Sequence, residues 1–454
     1  MEPRYFTARI CFVLLMAFCS CGDYLDVEPK GYVLLNTTRD YHNWLNDVAL
    51  MEGPSELNQL NDFIDNPSIA MPPTQIYDLV YIWANQYAID IPAKAVIWED
   101  HYNRINGFNT VINGVDGATG SPAEKNMLKA EALLGRALEY FYLMNEYAPM
   151  YDAESARNDL AVPFVESNDI SDPVPQRSSV QEIFDHIIAD IEAALPDLPS
   201  DNSTNRYRGS VASAHSVLAR LYFYAGFYTE AQENARLAID EGNAAMIDYN
   251  GPFPDLPLFI MRPDAIYARF TESAGFICSL DYVNKFDPND LRFSLLFVNQ
   301  DNGTYTERGA TQYYPAIMVP TLALINLGTS VQEMKLIIAE AAARNNDLDE
   351  ALKQLNEIRI NRFAPENYEP LQSTDQDTVL EWALRERELE LPFQGMRWFD
   401  MRRLDKENRM ETVYRYDAEG NVIATLPKNS PKYTLQIPIQ VMQYHPDWTQ
   451  NPWE

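Results

Sequence analysis

The stretch SVASAHSVLARLYFYAGFYTEAQENARLAIDE, from Ser210 to Glu241, decides the fold. Small and apolar residues recur at helical spacing on both sides of Gly226, a residue type that often ends a helix. They are Leu218, Ala219 and Tyr222 before the glycine and Tyr228, Ala231 and Ala238 after it. These offsets match the tetratricopeptide pattern, in which small residues let two antiparallel helices approach closely while a tyrosine fills the gap beside them. The stretch therefore predicts a tetratricopeptide-like helical pair.

A second copy of this pattern lies at Met334 to Arg362. The residues at the corresponding offsets are Ile338, Ala339, Leu348, Ala351 and Leu355. Two unrelated helical hairpins are the alternative, because Ala-rich helices also produce chance matches. Since consistent offsets occur twice, we favour the repeat. The two copies are not contiguous, so the pattern predicts an α-α superhelix of helical pairs that is interrupted by inserted material.

Two more helices are predicted upstream of the first pair. A capping box at Ser121 and Glu124 begins a helix that continues to Tyr147. The next helix, Val180 to Leu195, has isoleucines spaced four residues apart and ends before a proline. The predicted fold class is therefore mainly α.

Two segments differ from these helices, because they lack helical periodicity and are rich in aromatic residues. The first is 61–95, and the second runs from about Asn243 to Thr329. The second also carries turn signals at Asp287-Pro288-Asn289-Asp290 and Asp301-Asn302-Gly303. Loops on a rigid helical scaffold often carry binding residues. We therefore expect a loop-rich, irregular ligand-binding portion beside the helical pairs.

The first twenty residues are predicted to be an export signal. Their apolar core, Ile10 to Phe18, is about ten residues long, roughly half of what a membrane-spanning helix needs. Cys21 is the predicted lipid-attachment residue, because the small residue Ser20 lies directly before the predicted signal-peptide cleavage site. Acylation of Cys19 and an ordinary signal peptide cut near Ser20 are the alternatives. Two or more acyl chains on Cys21 would give stable attachment to a membrane.

The composition excludes several classes of function. The chain has 35 Lys plus Arg against 66 Asp plus Glu, a net charge of −31, so nucleic acid and anionic membrane surfaces would be repelled. Only Cys278 remains in the body once the leader and Cys21 are set aside, which is too few thiols for a disulfide or a thiolate metal site. The five histidines lie far apart, so we predict no metal and no cofactor.

Short segments in a characteristic order carry a family resemblance over nearly the whole chain. They are Cys21-Gly22-Asp23-Tyr24-Leu25-Asp26; Trp98, Tyr102, Asn103, Ile105, Asn106 and Asn109; Ala130-Glu131-Ala132, Arg136-Ala137 and Tyr140-Phe141; Val162-Pro163-Phe164-Val165; Ile338-Ala339-Glu340-Ala341; Arg385-Glu386-Arg387-Glu388-Leu389; Gly395-Met396-Arg397-Trp398-Phe399-Asp400-Met401-Arg402-Arg403; and Ile437-Pro438 to Gln450-Asn451-Pro452. In these the chain resembles the SusD/RagB family of surface lipoproteins, which assist nutrient uptake across the outer membrane of Bacteroidetes. It departs from the family at two places. Gln394 stands where a glutamate is usual, and Ser330-Val331-Gln332 stands where basic and aromatic residues usually precede the Glu333 helix.

The resemblance implies a lipid-anchored protein at the outer face of the outer membrane. Such proteins cap a SusC-like TonB-dependent transporter, hold an oligosaccharide or a peptide, and pass it inward without catalysing a reaction. We accordingly divide the chain into a lipoprotein signal peptide (1–20), an N-terminal helical region (21–242), a loop-rich insertion (243–329) and a C-terminal region with a further helical pair (330–454).

An oligosaccharide site needs exposed aromatic rings beside polar side chains that satisfy the sugar hydroxyls. The candidate ligand-binding residues are Tyr81, Trp83 and Tyr87 with Asn85 and Gln86 from the first segment, and Tyr282, Tyr305, Tyr313 and Tyr314 with Asn284 from the insertion. Core packing is the alternative for each aromatic residue. No ligand motif of the family carries over residue by residue.

Other interpretations concern charged residues and the helical grooves. The cluster Arg385 to Arg403 could hold an anion, although its spacing also allows a structural network of ion pairs, which we favour. An exported helical glycoside hydrolase would need two carboxylates about 5 to 10 Å apart; Asp287 and Asp290 are candidates, but they also form a turn signal. A pure tetratricopeptide scaffold that binds a protein partner is the third possibility.

Overall fold

The computed structural model describes residues 35–453, except for 89, 254–261, 273–275, 299–308 and 314–323. Three of the predicted site residues, Cys21, Tyr305 and Tyr314, lie outside the described residues, as does the turn signal at Asp301-Asn302-Gly303.

The described residues form a mainly helical protein, as predicted. The α-helices are α1 Thr38–Trp44, α2 Ile76–Tyr81, α3 Trp98–Gly114, α4 Pro122–Tyr147, α5 Val180–Ala194, α6 Val211–Tyr224, α7 Tyr228–Asp240, α8 Leu280–Val283, α9 Leu291–Leu296, α10 Val331–Arg344, α11 Leu348–Arg359, α12 Gln376–Glu390, α13 Arg397–Lys406 and α14 Ile439–Met442. Within the described ranges, none of these helices combines the length and the apolar character needed to cross a bilayer.

The predicted helical pairs are confirmed. Helix α6 packs on α7, and α10 packs on α11, while α7 and α10 also lie against each other and connect the two pairs. Each pair turns at a residue with a left-handed backbone: Gly226 has φ +83° and Asn346 has φ +59°. Glycine and asparagine adopt this conformation most readily, so both turns use a residue suited to it.

The predicted capping box is also present at the start of α4. The Ser121 hydroxyl accepts a hydrogen bond from the Glu124 backbone N–H at 3.2 Å, and the Glu124 carboxylate accepts one from the Ser121 N–H at 3.1 Å. Helix α4 then packs between α3 and α5, and its second half is almost wholly buried. The helices α3 to α5 therefore form a layer beside the tetratricopeptide-like pairs.

Buried ion pairs join the helices to one another. Arg220 on α6 contacts Glu333 on α10 at 2.6 Å, and Asp400 on α13 accepts hydrogen bonds from Arg387 and Arg403 at 2.9 Å each. All of these side chains are buried. The charged cluster of 385–403 therefore supplies a structural network rather than an open anion site.

The strands are short and pair across long sequence separations. They are β1 Leu160–Pro163, β2 Arg177–Ser179, β3 Ala265–Tyr267, β4 Phe270–Glu272, β5 Phe276–Ser279, β6 Phe297–Val298, β7 Gly309–Tyr313, β8 Leu324–Asn326, β9 Thr329–Ser330, β10 Val413–Tyr416 and β11 Val422–Leu426. In the described part of the chain they form five antiparallel sheets: β1-β2, β3-β9, β4-β8, β5-β7-β6 and β10-β11. The insertion thus carries more regular structure than its sequence indicates, because strands of two to five residues are too short to show a period.

A second hydrophobic core lies apart from the main helical core. It contains Phe63 from the first aromatic segment, Tyr282 and Tyr313 from the insertion, and Phe393 from the turn after α12. Phe63 and Tyr282 stack with ring centroids 4.0 Å apart, and Tyr313 lies 4.9 Å from Phe393. This core joins the two aromatic-rich segments predicted from the sequence and holds the walls of the cleft described below.

Candidate functional site

A cleft of about 450 Å³ opens where three segments meet. Its walls are residues 62–65 with Tyr81, residues 279–282 with Lys285, and residues 410–416, which include strand β10. We call it the hairpin cleft, because one wall consists of strand β10 of the β10-β11 hairpin and the residues just before it. Its volume falls within the range typical of sites for small ligands.

The hairpin supplies the exposed aromatic residue of this cleft. The Tyr414 side chain is 48% exposed and Tyr416 is half-buried, while Arg415 between them is buried. All three residues line the cleft, but only the two tyrosines keep exposed surface. Sequence reasoning missed these tyrosines, although the alternating run Val413–Tyr416 before an Asp-Ala-Glu-Gly turn is a readable hairpin signal.

Arg415 fixes the hairpin to the first aromatic segment. Its Nε donates to the Tyr81 carbonyl oxygen at 2.8 Å, Nη1 donates to that of Ile64 at 3.1 Å, and Nη2 donates to that of Asn61 at 2.7 Å. The guanidinium also lies over the Tyr81 ring, 4.4 Å from its centroid, and over the Trp83 ring at 4.3 Å. One buried side chain therefore sets the position of the wall that carries Tyr414 and Tyr416.

A chain of four charged residues includes two that line the cleft, Asp62 and Lys285. Asp62 receives two hydrogen bonds of 2.7 Å from Arg397, which also contacts Glu388 at 2.9 Å, and Glu388 in turn pairs with Lys285 at 2.5 Å. Burial alone would raise the pKa of Asp62, but the Arg397 guanidinium holds that pKa below its usual value. Asp62 and Glu388 therefore have partners within the protein, and Lys285, whose side chain is 33% exposed, lines the cleft.

Four of the predicted aromatic residues are buried, so the prediction that they form exposed platforms is wrong for them. Tyr81 and Trp83 are each 1% exposed because they enclose Arg415, and the Trp83 indole donates to the Leu60 carbonyl oxygen at 2.9 Å. Tyr282 and Tyr313 are packed in the second hydrophobic core. Tyr81 and Tyr282 still form part of the cleft wall, while Trp83 and Tyr313 do not.

The predicted polar residues fall in other places. Asn85 is exposed, whereas Gln86 is half-buried and accepts a hydrogen bond from the Ile439 backbone N–H at 2.9 Å. Both line a small crevice with Tyr87, whose hydroxyl has no hydrogen-bond partner among the described residues. Burial raises the pKa of Tyr87, and the nearby Glu146 adds to that effect. Asn284 is exposed at the end of α8, next to Lys285 but not in the cleft wall.

The two aspartates named as candidates for a hydrolase lie in the predicted turn. Asp287 and Asp290 form the predicted turn, in which the Asp290 N–H donates to the Asp287 carbonyl oxygen at 2.9 Å. Both aspartates border a cavity of about 220 Å³ that is separate from the hairpin cleft, but the Asp290 side chain is buried and pairs with Arg292 at 2.7 Å. In the part of the chain that the structure describes, no three His, Cys, Asp or Glu side chains come together in a way that could hold a metal ion.

Comparison with protein families gives two matches along the chain. Residues 23–223 match a family model described as "Starch-binding associating with outer membrane", and residues 332–453 match the model of the SusD family. The second match begins within α10 and includes α12, α13 and the β10-β11 hairpin. The whole insertion, 243–329, lies between the two matched ranges.

Individual proteins agree with these matches. A SusD-like protein of Bacteroides ovatus is 25% identical over 46% of this chain, an alignment that spans only 37% of that protein's length. A SusD-like protein of Formosa agariphila is 23% identical over 89% of this chain and 92% of its own. The solved structure of surface glycan-binding protein A from Bacteroides uniformis has a TM-score of 0.69 at 16% identity, over 91% of this chain and 99% of that one, which shows a shared fold.

Proposed function

Because the chain belongs to the SusD/RagB family, we propose that it is a non-catalytic, surface glycan-binding protein whose hairpin cleft holds an oligosaccharide. The observation that carries the proposal is the half-exposed ring of Tyr414, which forms one wall of the cleft together with Tyr416. Sugar rings have apolar C–H faces that pack on aromatic rings of this kind. The names of the family and of the B. uniformis relative support a glycan as the class of ligand.

The polar groups around these rings suit a sugar ligand. Asp281 and Glu411 are exposed at the cleft and offer carboxylate oxygens as acceptors, and the Lys285 ammonium offers donors. Charges of both signs are present, so the cleft favours a neutral, hydroxyl-rich molecule over a strongly charged one. A peptide is the competing ligand, and it would use the same ring and the same charged groups.

Direct binding to the purified chain tests this proposal. A glycan array followed by calorimetry should find an oligosaccharide whose binding weakens at least about tenfold in Tyr414→Ala, as expected for loss of a central aromatic contact. Tyr414→Trp should retain binding, because it keeps a flat ring in the same place. Tyr444→Ala is the matched control, since Tyr444 is 76% exposed and lies outside the cleft. Binding only to peptides, or glycan binding that is equal in all variants, would reject the proposal.

The location and the partner are parts of the same proposal. We infer that the chain is anchored in the outer membrane through acylated Cys21 and that it delivers its ligand to a SusC-like TonB-dependent transporter. The family description, which names association with the outer membrane, supports this location. Metabolic labelling with a radioactive fatty acid should mark the wild-type chain and not Cys21→Ser. Mild detergent extraction should co-purify a TonB-dependent transporter, and extraction of the chain alone would count against the partnership.

A further inference from the structure

A second, larger cavity of about 790 Å³ lies away from the hairpin cleft and shares none of its lining residues. It runs between α3, the loop after β1 and the segment after α14. We call it the C-terminal groove, and its principal residues are Tyr102, Phe164, Ile170, Val174, Tyr444 and Trp448.

Apolar side chains stand exposed along this groove. Ile170 is 95% exposed, Tyr444 is 76% exposed and Val174 is 48% exposed, which places all three among the large hydrophobic residues that the folded chain leaves in water. Single exposed apolar residues are ordinary, but several around one cavity indicate a surface that another molecule covers.

The polar groups of the groove are largely used within the protein. The Ser167 hydroxyl donates to Asp172 at 2.6 Å, and Asp169 accepts from the Ser171 backbone N–H at 2.8 Å. Gln440 donates to two backbone carbonyl oxygens at 3.0 Å each. The open acceptors that remain are the exposed carboxylates of Glu166, Asp169 and Asp172, and the exposed apolar side chains offer a surface to apolar groups of an occupant.

The charge of the groove has one sign. Glu166, Asp169 and Asp172 line it, and none of its lining residues in the described part of the chain is Lys or Arg. A second copy of this chain is a poor occupant, because each copy carries a net charge of −31 and would bring acidic groups together. A basic group on the occupant would be attracted instead.

Trp448 provides an independent observation at the wall of the groove. Its side chain stacks on His445 with centroids 4.0 Å apart and the residue is only 7% exposed, yet its indole N–H has no acceptor among the described residues. Buried donors without a partner are rare because they lose their hydration. Because this stacked, buried indole borders the groove, its environment reports on changes at that wall.

From these observations we propose that the C-terminal groove binds an extended segment of a partner protein. The segment places at least two apolar side chains against Ile170, Val174 and Tyr444, and a Lys or Arg beside Glu166 and Asp169. The assignment does not depend on the glycan proposed for the hairpin cleft.

Selection from a random dodecapeptide phage library on the purified chain tests this inference. Enriched peptides should combine two or more aliphatic or aromatic residues with Lys or Arg. Affinity of the synthetic peptides should fall at least about tenfold in Tyr444→Ala and also in Ile170→Asp, because both remove apolar contact area. Glu166→Lys should weaken binding as well, since it opposes the basic residue, and Tyr414→Ala should leave it unchanged.

A spectroscopic measurement locates the binding. In the chain labelled with fluorotryptophan, the fluorine resonance assigned through Trp448→Phe should shift on addition of peptide, while the Trp83 resonance should stay in place. Four outcomes would overturn the inference: enrichment of acidic or polar peptides, binding that Tyr444→Ala does not weaken, glycan binding that Tyr444→Ala abolishes, or a dimer of the chain that Tyr444→Ala dissociates. If Tyr414→Ala loses glycan binding but still binds the peptides, the result bears on the glycan site in the hairpin cleft and leaves the peptide site in the C-terminal groove unaffected.

Discussion

Arg415 and Trp83 are packed together, with the guanidinium carbon 4.3 Å from the centroid of the indole ring. The residues are far apart in sequence, and the contact joins the β10-β11 hairpin to the first aromatic segment. Both side chains are 1% exposed. The Trp83 ring, which the sequence suggests as a ligand platform, therefore supports the cleft wall that carries the exposed Tyr414.

Replacement of Arg415 should detach the hairpin. Arg415→Met keeps most of the volume but removes every donor to the carbonyl oxygens of Tyr81, Ile64 and Asn61. We expect the free energy of unfolding in urea to fall by about 2 to 4 kcal/mol, because each buried acceptor left unpaired costs about 1 to 3 kcal/mol and part of the charge burial is relieved.

Arg415→Lys is the control for charge. A lysine keeps the positive charge but lacks the planar guanidinium group that reaches several carbonyl oxygens at once. Arg415→Lys should therefore be more stable than Arg415→Met but less stable than the wild type. Equal stability of the wild type and Arg415→Met would show that the hairpin is held by other contacts.

Substitutions of Trp83 and Tyr414 should have different effects, the first on stability and the second on glycan binding. Trp83→Ala removes a fully buried ring and should cost about 3 to 5 kcal/mol of unfolding free energy. Tyr414→Ala changes an exposed side chain and should alter stability by less than about 0.5 kcal/mol while it weakens glycan binding. Thermal unfolding and calorimetry on the same samples check both. A stable Trp83→Ala variant that loses only glycan binding would restore Trp83 as a platform.

Local features of the fold could be predicted from the sequence, whereas contacts between distant residues could not. The capping box at Ser121 and the glycine turn at Gly226 depend on neighbours within a few residues, so a local pattern was enough to place the helices. The burial of Trp83 depends on an arginine more than three hundred residues away, and no local pattern reports such a contact.

Tyr414 was missed for a different reason. Its hairpin signal is local and readable, but nothing in the run Val413–Tyr416 distinguishes a ligand-binding strand from a structural one. The short strands of the insertion could not be read at all, because β5 pairs with β7 across a separation that sequence patterns do not encode.

The two turns of the helical pairs should respond differently to substitution. Gly226 has φ +83° and open space around the position that a Cβ atom would take, so Gly226→Ala should lose about 1 kcal/mol through backbone strain alone. Asn346, at φ +59° in the second pair, should tolerate Asn346→Gly with little change and should lose stability in Asn346→Ala. Urea unfolding of the three variants tests the comparison, and a neutral Gly226→Ala would contradict it.

His101 should make the stability depend on pH in the neutral to alkaline range. The buried imidazole lies 2.7 Å from Glu139 and 3.1 Å from Glu146. Burial alone would lower the pKa of His101, but Glu146 and Glu139 together raise it to about 9, above its ordinary value of 6.5. A raised pKa means that the folded state binds the proton more tightly than the unfolded state does. The resulting stabilisation is complete below about pH 6.5 and is lost as the pH rises through about 9.

Urea unfolding of the wild type between pH 6 and pH 9.5 should therefore show a fall of up to about 3 kcal/mol, following the difference between the two pKa values. His101→Gln keeps a polar side chain but cannot titrate, so its unfolding free energy should be lower at pH 6 and should change less over the same range. Parallel profiles for the two proteins would mean that the imidazole stays neutral between the two glutamates.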